Sequence, residues 1–193
     1  MDEICAQLGE NKALQGGFDA VGFSQGGQIL RAYVQRCNDP PVRNLITIGA
    51  QHQGVMDLPG CAQHGKELEI NRRLAQVSIP PHHALGGVQS GECSWWQRML
   101  KKSVYSDFAQ EHIVQAQYFK DPARAGEYLA KNTFLVDLNN EGSVKKPEYA
   151  ERLSSLKNFV MYMFTQDTQV VPAQSSVCLP LGEGDLSNAD ADG

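Results

Sequence analysis

Five consecutive residues carry the clearest chemical signal in this sequence: Gly22-Phe23-Ser24-Gln25-Gly26. They have the form G-x-S-x-G, which marks a serine presented on a sharp turn between a strand and a helix. Such a turn strains the serine backbone, and we expect a Cβ on either glycine to crowd it. A serine held in this way can attack an acyl carbonyl. The pattern predicts Ser24 as a nucleophile, and the alternative is an ordinary glycine-rich turn.

The elements on either side of the serine follow the order that this turn requires. An apolar run over residues 18–23 predicts a strand buried on both faces of a parallel sheet. Apolar residues then recur at helical spacing from Ile29 to Cys37, and Asp39-Pro40-Pro41 ends the helix. Residues 42–49 predict a second buried strand. Two strands joined by a helix indicate a right-handed parallel crossover and an α/β fold class.

Further elements are predicted from the same periodicities. Apolar spacing favours helices over residues 3–14 and 93–118, and Pro147 can begin another helix. Residues 133–138 are predicted to be strand-like or extended. The continuous apolar run over residues 159–164 predicts a third buried strand.

A serine nucleophile needs a base to take its proton and a carboxylate to orient that base. In α/β-hydrolases the partners follow in the order Ser, Asp or Glu, His. Asp167 fits the second place because it comes just after the third predicted strand, and a turn-forming aspartate is the alternative. No histidine follows Asp167: the five histidines are His52, His64, His82, His83 and His112. By chain order, we expect none of them to serve as the usual base.

Two histidine positions invite other interpretations. His52 follows the second predicted strand, at the edge where open α/β sheets place ligands. A ligand-facing role is one interpretation, and a loop histidine hydrogen-bonded to backbone is the one we favour. His82-His83 resembles a metal pair, but no acidic or cysteine ligand is spaced to join it, so we expect a solvated loop. We expect no metal and no cofactor.

Composition excludes several classes of function. The chain has 193 residues, enough for one domain with a sizeable core, and is 41% hydrophobic and 20% charged, as soluble globular proteins are. Its net charge is −5. Basic residues are adjacent only in the pairs Arg72-Arg73, Lys101-Lys102 and Lys145-Lys146, so nucleic-acid binding through a basic surface is not expected. No apolar run reaches the length of a transmembrane segment. The residues after Met1 do not form a signal peptide.

The five cysteines show no C-x-x-C spacing, which excludes a zinc ribbon or a thioredoxin-like motif: they are Cys5, Cys37, Cys61, Cys93 and Cys178. Composition alone allows two interpretations. The cysteines could be reduced thiols, or they could form two disulfides and leave one cysteine unpaired.

Beyond the serine turn, several blocks resemble the lysosomal palmitoyl-protein thioesterases, and the likeness covers about residues 1–61 and 92–172. The blocks are Phe18 to Gln28, Arg36-Cys37, Asn44-Leu45-Ile46, Gln51-His52-Gln53-Gly54-Val55, Leu58-Pro59-Gly60-Cys61, Val114-Gln115-Ala116-Gln117-Tyr118, Asp121-Pro122 and Phe159 to Asp167. The Gln51–Val55 and Val114–Tyr118 blocks are the most distinctive.

This resemblance implies an α/β-hydrolase fold with a helical lid inserted at about residues 52–157, in which residues 95–118 contribute to a fatty-acyl groove. It implies hydrolysis of S-palmitoyl groups from cysteines of proteins, so the partners would be S-acylated proteins and fatty-acyl thioesters. Ser24 would be the nucleophile and Asp167 the orienting acid. The backbone N–H of Gln25 would be one oxyanion donor.

The resemblance also implies two disulfides, Cys5 with Cys37 and Cys61 with Cys93, and leaves Cys178 unpaired. It implies a lysosomal or secretory location. Compared with the family pattern, we expect a partial fold over residues 1–174 and a disordered tail over 175–193. The first strands and the segment with the catalytic histidine are expected to be missing, and residues 62–91 are longer than the pattern. The alternatives are a carboxylester lipase or esterase and a catalytically dead acyl-binding fragment.

Overall fold

The sheet is parallel, as predicted. The computed structural model describes residues 1–56 and 102–178. Among them, three strands pair in the order β1 (Phe18–Phe23), β2 (Val42–Ile48) and β3 (Asn158–Tyr162). Phe23 lies opposite Ile48, which lies opposite Tyr162. The carboxyl ends of the three strands therefore meet at one edge, which positions whatever follows each of them.

Helices and loops connect these strands. The α-helices among the described residues are α1 (Asp2–Glu10), α2 (Gln25–Arg36), α3 (Asp107–His112), α4 (Val114–Gln117), α5 (Ala125–Lys131), α6 (Leu135–Leu138) and α7 (Pro147–Ser154). Short 3₁₀ helices span Lys12–Leu14, Pro122–Arg124 and Ala173–Val177. The described chain between β2 and β3 is thus mainly helical.

The core of the sheet lies between its inner face and α2. This core contains buried side chains from β1, α2 and β2, namely Ala20, Tyr33, Val34, Val42 and Leu45. The first helix is tied to the end of α2 by a disulfide between Cys5 and Cys37, whose Cα atoms are 6.1 Å apart. This is the bond that the family resemblance implied. Cys178 is a free thiol.

The outer face of the sheet is exposed within the described residues. Val21 is 54% exposed, Phe23 64% and Tyr162 56%. The prediction that β1 is buried on both faces is therefore wrong for the part of the chain described, and the prediction that β3 is buried is wrong because none of its residues is fully buried. A continuous apolar run cannot by itself tell one buried face from two, and α2 packs on one face only.

Residues 133–138 differ from the prediction of an extended segment. Leu135–Leu138 form helix α6, and the Oδ1 atom of Asn132 accepts hydrogen bonds from the backbone N–H groups of Phe134, Leu135 and Val136. A side-chain acceptor placed just before a short apolar run favours a helix, because it satisfies N–H groups that the first turn leaves unpaired.

The prediction of a disordered tail is wrong for residues 175–178. Ser175 and Ser176 are buried, and the Ser175 hydroxyl donates a 2.6 Å hydrogen bond to the carbonyl of Gly54. Residues 175–178 are thus part of the fold, since polar turn residues can be fixed by buried backbone partners. Other predictions lie outside the described residues: those for His64, His82-His83, Cys61–Cys93, the long stretch 62–91, residues 93–101 of the predicted helix and the tail after residue 178.

Candidate active site

Ser24 occupies the predicted turn between β1 and α2. Its backbone has φ 48° and ψ −126°, a conformation that costs free energy for a residue with a side chain. The Ser24 N–H donates to the carbonyl of Ile48 at 2.9 Å, and its carbonyl accepts from Gly27 at 3.0 Å. The side chain is exposed and does not cap α2.

Close contacts fix this turn, although they involve different glycines from those predicted. A Cβ on Gly22 would lie 2.6 Å from the Gly27 nitrogen, and a Cβ on Gly27 would lie 2.5 Å from the Cβ of Ala50. A Cβ on Gly26 would meet nothing within 4 Å. The expectation that both motif glycines are crowded is therefore wrong for Gly26. Gly27 supplies the second close approach, because it faces β2 while Gly26 points away.

Gln25 is the first residue of α2, so its backbone N–H has no partner within the helix. The helix dipole adds partial positive charge at this end. Both effects favour an oxyanion near the Ser24 hydroxyl.

Asp167 lies at the same edge of the sheet as Ser24. Its Oδ1 atom accepts hydrogen bonds from the N–H groups of Gln169 (2.8 Å) and Val170 (3.0 Å). Its Oδ2 atom lies 3.6 Å from where a Cβ on Gly49 would be. Gly49 follows Ile48, whose carbonyl binds Ser24. The turn therefore holds one carboxylate oxygen and points the other toward the end of β2.

His52 is buried, and its ring binds Thr47 near the end of β2. Its Nε2 atom forms a 2.8 Å hydrogen bond with the Thr47 hydroxyl, and its ring meets the edge of Phe159. Burial, assisted by the charge of Arg31, lowers the pKa of His52 to about 3. His52 is thus a neutral structural residue. The predicted backbone partner for its ring is wrong, because a side-chain hydroxyl on the adjoining strand lies within reach.

The loop that contains His52 is held by α2. The side chain of Gln28 donates to the carbonyl of Gln51, and Nη1 of Arg31 donates to the carbonyl of His52 at 3.2 Å. Gly54 has φ 88°, and a Cβ there would lie 2.7 Å from both Leu135 and the carbonyl of Tyr118. This glycine therefore permits the helical segment to approach β2 closely.

Arg31 is a buried residue that the sequence analysis missed. Its Nη2 atom donates to the carbonyl of Leu138 at 3.1 Å and to Oδ1 of Asn139 at 2.7 Å, and Nε donates to Gln35 at 3.0 Å. Burial lowers its pKa. The available signal was the spacing of Gln28, Arg31 and Gln35, which places three polar side chains along one side of α2.

A groove of about 440 Å³ runs beside α2 and begins next to the nucleophile. Residues of α2, α4 and the turn before α6 line it, together with Met1: Gln25, Gln28, Ile29, Arg36, Val114, Gln117, Tyr118, Thr133 and Phe134. Its volume lies within the range of about 300–1,000 Å³ usual for small-molecule sites. Val114 and Tyr118 belong to the stretch predicted to contact a fatty acyl chain.

A strand, an exposed serine and a helix in this arrangement are typical of enzymes that use a serine nucleophile. A sequence model described as palmitoyl protein thioesterase matches residues 1–186, and the chain belongs to this family.

Named relatives agree with this assignment. The chain is 36% identical to palmitoyl-protein thioesterase 1 of Caenorhabditis elegans over 197 residues, covering 96% of this chain and 57% of the relative. It is 31% identical to palmitoyl-protein thioesterase 3 of Dictyostelium discoideum, covering 91% of this chain and 50% of the relative. It is 32% identical to a palmitoyl-protein thioesterase-dolichyl pyrophosphate phosphatase fusion of Schizosaccharomyces pombe, covering 91% and 25%. The chain spans about half the length of the first and second of these.

Proposed function

We propose that the protein hydrolyses thioesters between long-chain fatty acyl groups, such as palmitoyl, and cysteines of proteins. The observation that carries this proposal is the strained, exposed conformation of Ser24 at the end of β1, in a chain of the palmitoyl protein thioesterase family. The sheet and helical segment are then part of an α/β-hydrolase fold, and the helices between β2 and β3 form its lid.

In the proposed reaction, the Ser24 oxygen attacks the acyl carbonyl carbon and gives its proton to a base. The carbon–sulfur bond breaks, the electron pair leaves with the cysteine sulfur, and water then releases the fatty acid from the serine. A thiolate leaves readily because its conjugate acid has a pKa of about 8.5. Leaving-group protonation is thus less demanding than in amide hydrolysis.

The geometry supports roles for two further groups, Gln25 and Asp167. The Gln25 N–H at the start of α2 would stabilise the oxyanion. Asp167 would orient a histidine base through Oδ2, since Oδ1 is already bound by two N–H groups. His52 cannot be that base because it is buried against Thr47, and no histidine follows Asp167 in the sequence.

The groove beside Gln25 is the proposed site for the acyl chain. Ile29, Val114 and Tyr118 would contact the hydrocarbon, and each buried methylene would contribute about 0.8 kcal/mol. No helix among residues 1–56 and 102–178 is long and apolar enough to cross a membrane.

An oxidising location such as the lysosome or the secretory pathway fits the Cys5–Cys37 disulfide, since such bonds are rare in the cytosol. A second disulfide between Cys61 and Cys93 would belong to the same environment.

Addition of imidazole as an external base tests the nucleophile. With a palmitoyl-thioester peptide, we expect imidazole to promote release of the free thiol by the wild-type chain beyond the rate in buffer. We expect no such gain with Ser24→Ala. Equal release by the two chains would reject Ser24 as the nucleophile, and a greater gain on a matched oxyester would favour an esterase.

A second candidate is acyl binding without turnover. The groove beside α2 could bind an acyl chain without any reaction at Ser24. Saturable binding of a fatty-acyl probe, together with no thiol release even when imidazole is present, would support that function instead.

A further inference from the structure

Phe134 and Arg36 form the end of the groove farthest from the nucleophile. Gln25 is the first residue of α2 and Arg36 is the last, and both line the groove. At 1.5 Å per residue, the eleven residue steps between them correspond to about 16 Å. Phe134 also lines the groove, and the Arg36 guanidinium lies 5.5 Å from the centre of its ring. The groove therefore runs along α2 and reaches this aromatic–cation pair.

The pair is held in place by a charged cluster behind it. Nη2 of Arg36 lies 2.7 Å from Oδ2 of Asp137, which also accepts from the Tyr149 hydroxyl at 3.0 Å. Lys146 binds the other carboxylate oxygen. Burial of Asp137 opposes ionisation, but the hydrogen bonds from Lys146, Arg36 and Tyr149 outweigh it and lower its pKa. Asp137 thus remains charged and keeps Arg36 against Phe134.

We propose that Phe134, held by Arg36, is the wall that limits the length of the acyl chain the groove accepts. This inference rests on the proposed acyl-binding function. An extended alkyl chain, with bonds of about 1.5 Å, advances about 1.3 Å per carbon. The distance of about 16 Å between Gln25 and Arg36 along α2 then corresponds to about 13 carbon–carbon steps. Chains of about 14–16 carbons fill the groove, and further methylenes meet the Phe134 ring or stay in water.

Equilibrium binding of saturated fatty acids from 10 to 20 carbons tests this wall and needs no turnover. For the wild-type chain, we expect affinity to rise about fourfold per added methylene, because burial of each methylene contributes about 0.8 kcal/mol to binding. The rise should stop at about 14–16 carbons. In Phe134→Ala it should continue for two or more carbons, and in Phe134→Trp it should stop earlier.

Leu129→Ala is the control. Leu129 is 50% exposed on α5 and does not line the groove, so its removal should leave the length limit unchanged. Thermal unfolding of each variant identifies any that fails to fold, and Phe134→Trp keeps the test decisive if Phe134→Ala does fail. The same length limit in every folded Phe134 variant, or no limit in the wild-type chain, would overturn the proposal.

The two proposals fail in different experiments. A length limit that moves with Phe134 supports the wall even if Ser24 proves unreactive. An unchanged limit rejects the wall and leaves Ser24-dependent thiol release untouched.

Discussion

The serine and the acid lie at the same edge of the sheet, but the chain holds them very differently. Ser24 lies above a closely packed contact in which Gly22 meets Gly27 and Gly27 meets Ala50. Asp167 lies on a half-exposed loop, where its own side chain binds two N–H groups. The nucleophile is therefore built by tertiary packing, whereas the acid depends on one local turn.

This difference has a consequence for catalysis. A serine turn fixed by backbone contacts can be complete without a base. The carboxylate contributes only through a base that it orients, and the histidine nearest in sequence to β2, His52, is committed to Thr47. A well-formed serine turn therefore does not by itself show that a catalytic triad is complete.

The largest expected change in stability comes from the glycine contacts that hold the Ser24 turn. Gly22→Ala should destabilise the protein by about 3 kcal/mol, because its Cβ would overlap the backbone of Gly26 and Gly27. Gly26→Ala is the control and should be neutral or stabilising by up to about 1 kcal/mol, since its Cβ is unobstructed and alanine favours helix. Denaturant unfolding measures both, and equal stabilities would contradict the packing described.

The next effect depends on pH. Because the folded pKa of His52 is about 3 and the unfolded value is about 6.5, the unfolded chain takes up a proton first as pH falls. The contribution of His52 is therefore complete above about pH 6.5 and is lost progressively toward pH 3. By pH 4.5 the loss relative to pH 8 or above should be about 2.7 kcal/mol, since the free energy of unfolding falls by up to 1.36 kcal/mol per pH unit.

His52→Gln should remove that part of the pH dependence, whereas substitution of the exposed His112 by Gln should retain it. Unfolding free energies of the three proteins at several pH values provide the comparison. Parallel pH profiles for wild type and His52→Gln would show that His52 is not buried as a neutral residue.

A smaller effect should come from the strain at Ser24 itself. Ser24→Gly should stabilise the fold by about 1 kcal/mol, because glycine adopts a positive φ without a steric penalty. Ser106 has φ −71° and caps α3 through a 3.2 Å hydrogen bond from Ala109, so Ser106→Gly should give no gain. If Ser24→Gly also gave no gain in stability, the turn at Ser24 would not be strained.

The sequence predicted the parts of the fold that depend on local pattern. The apolar runs identified β1, β2 and β3, and the turn motif located Ser24 and the start of α2. The family resemblance added the Cys5–Cys37 pairing, which composition had left open. These features are set by short stretches of chain or by distinctive sequence blocks.

What the sequence could not predict depends on contacts between distant residues. The roles of Arg31 and Gln28 arise from carbonyl groups beyond residue 50, which no local pattern reveals. The helix at Leu135 depends on the side chain of Asn132, although the apolar run also suits a strand. The fixed position of Ser175 depends on the carbonyl of Gly54. For Asp167, the sequence predicted the correct edge, and its role in orienting a base stays a prediction.

The most direct test of the account is turnover by the 193-residue chain alone, without any added base. Release of thiol from a palmitoyl-thioester peptide is measured for wild type and Ser24→Ala. We expect negligible release by both. The serine turn is present, but this 193-residue polypeptide has no histidine after Asp167 that could take the proton of Ser24. Appreciable wild-type turnover that disappears in Ser24→Ala would contradict this account.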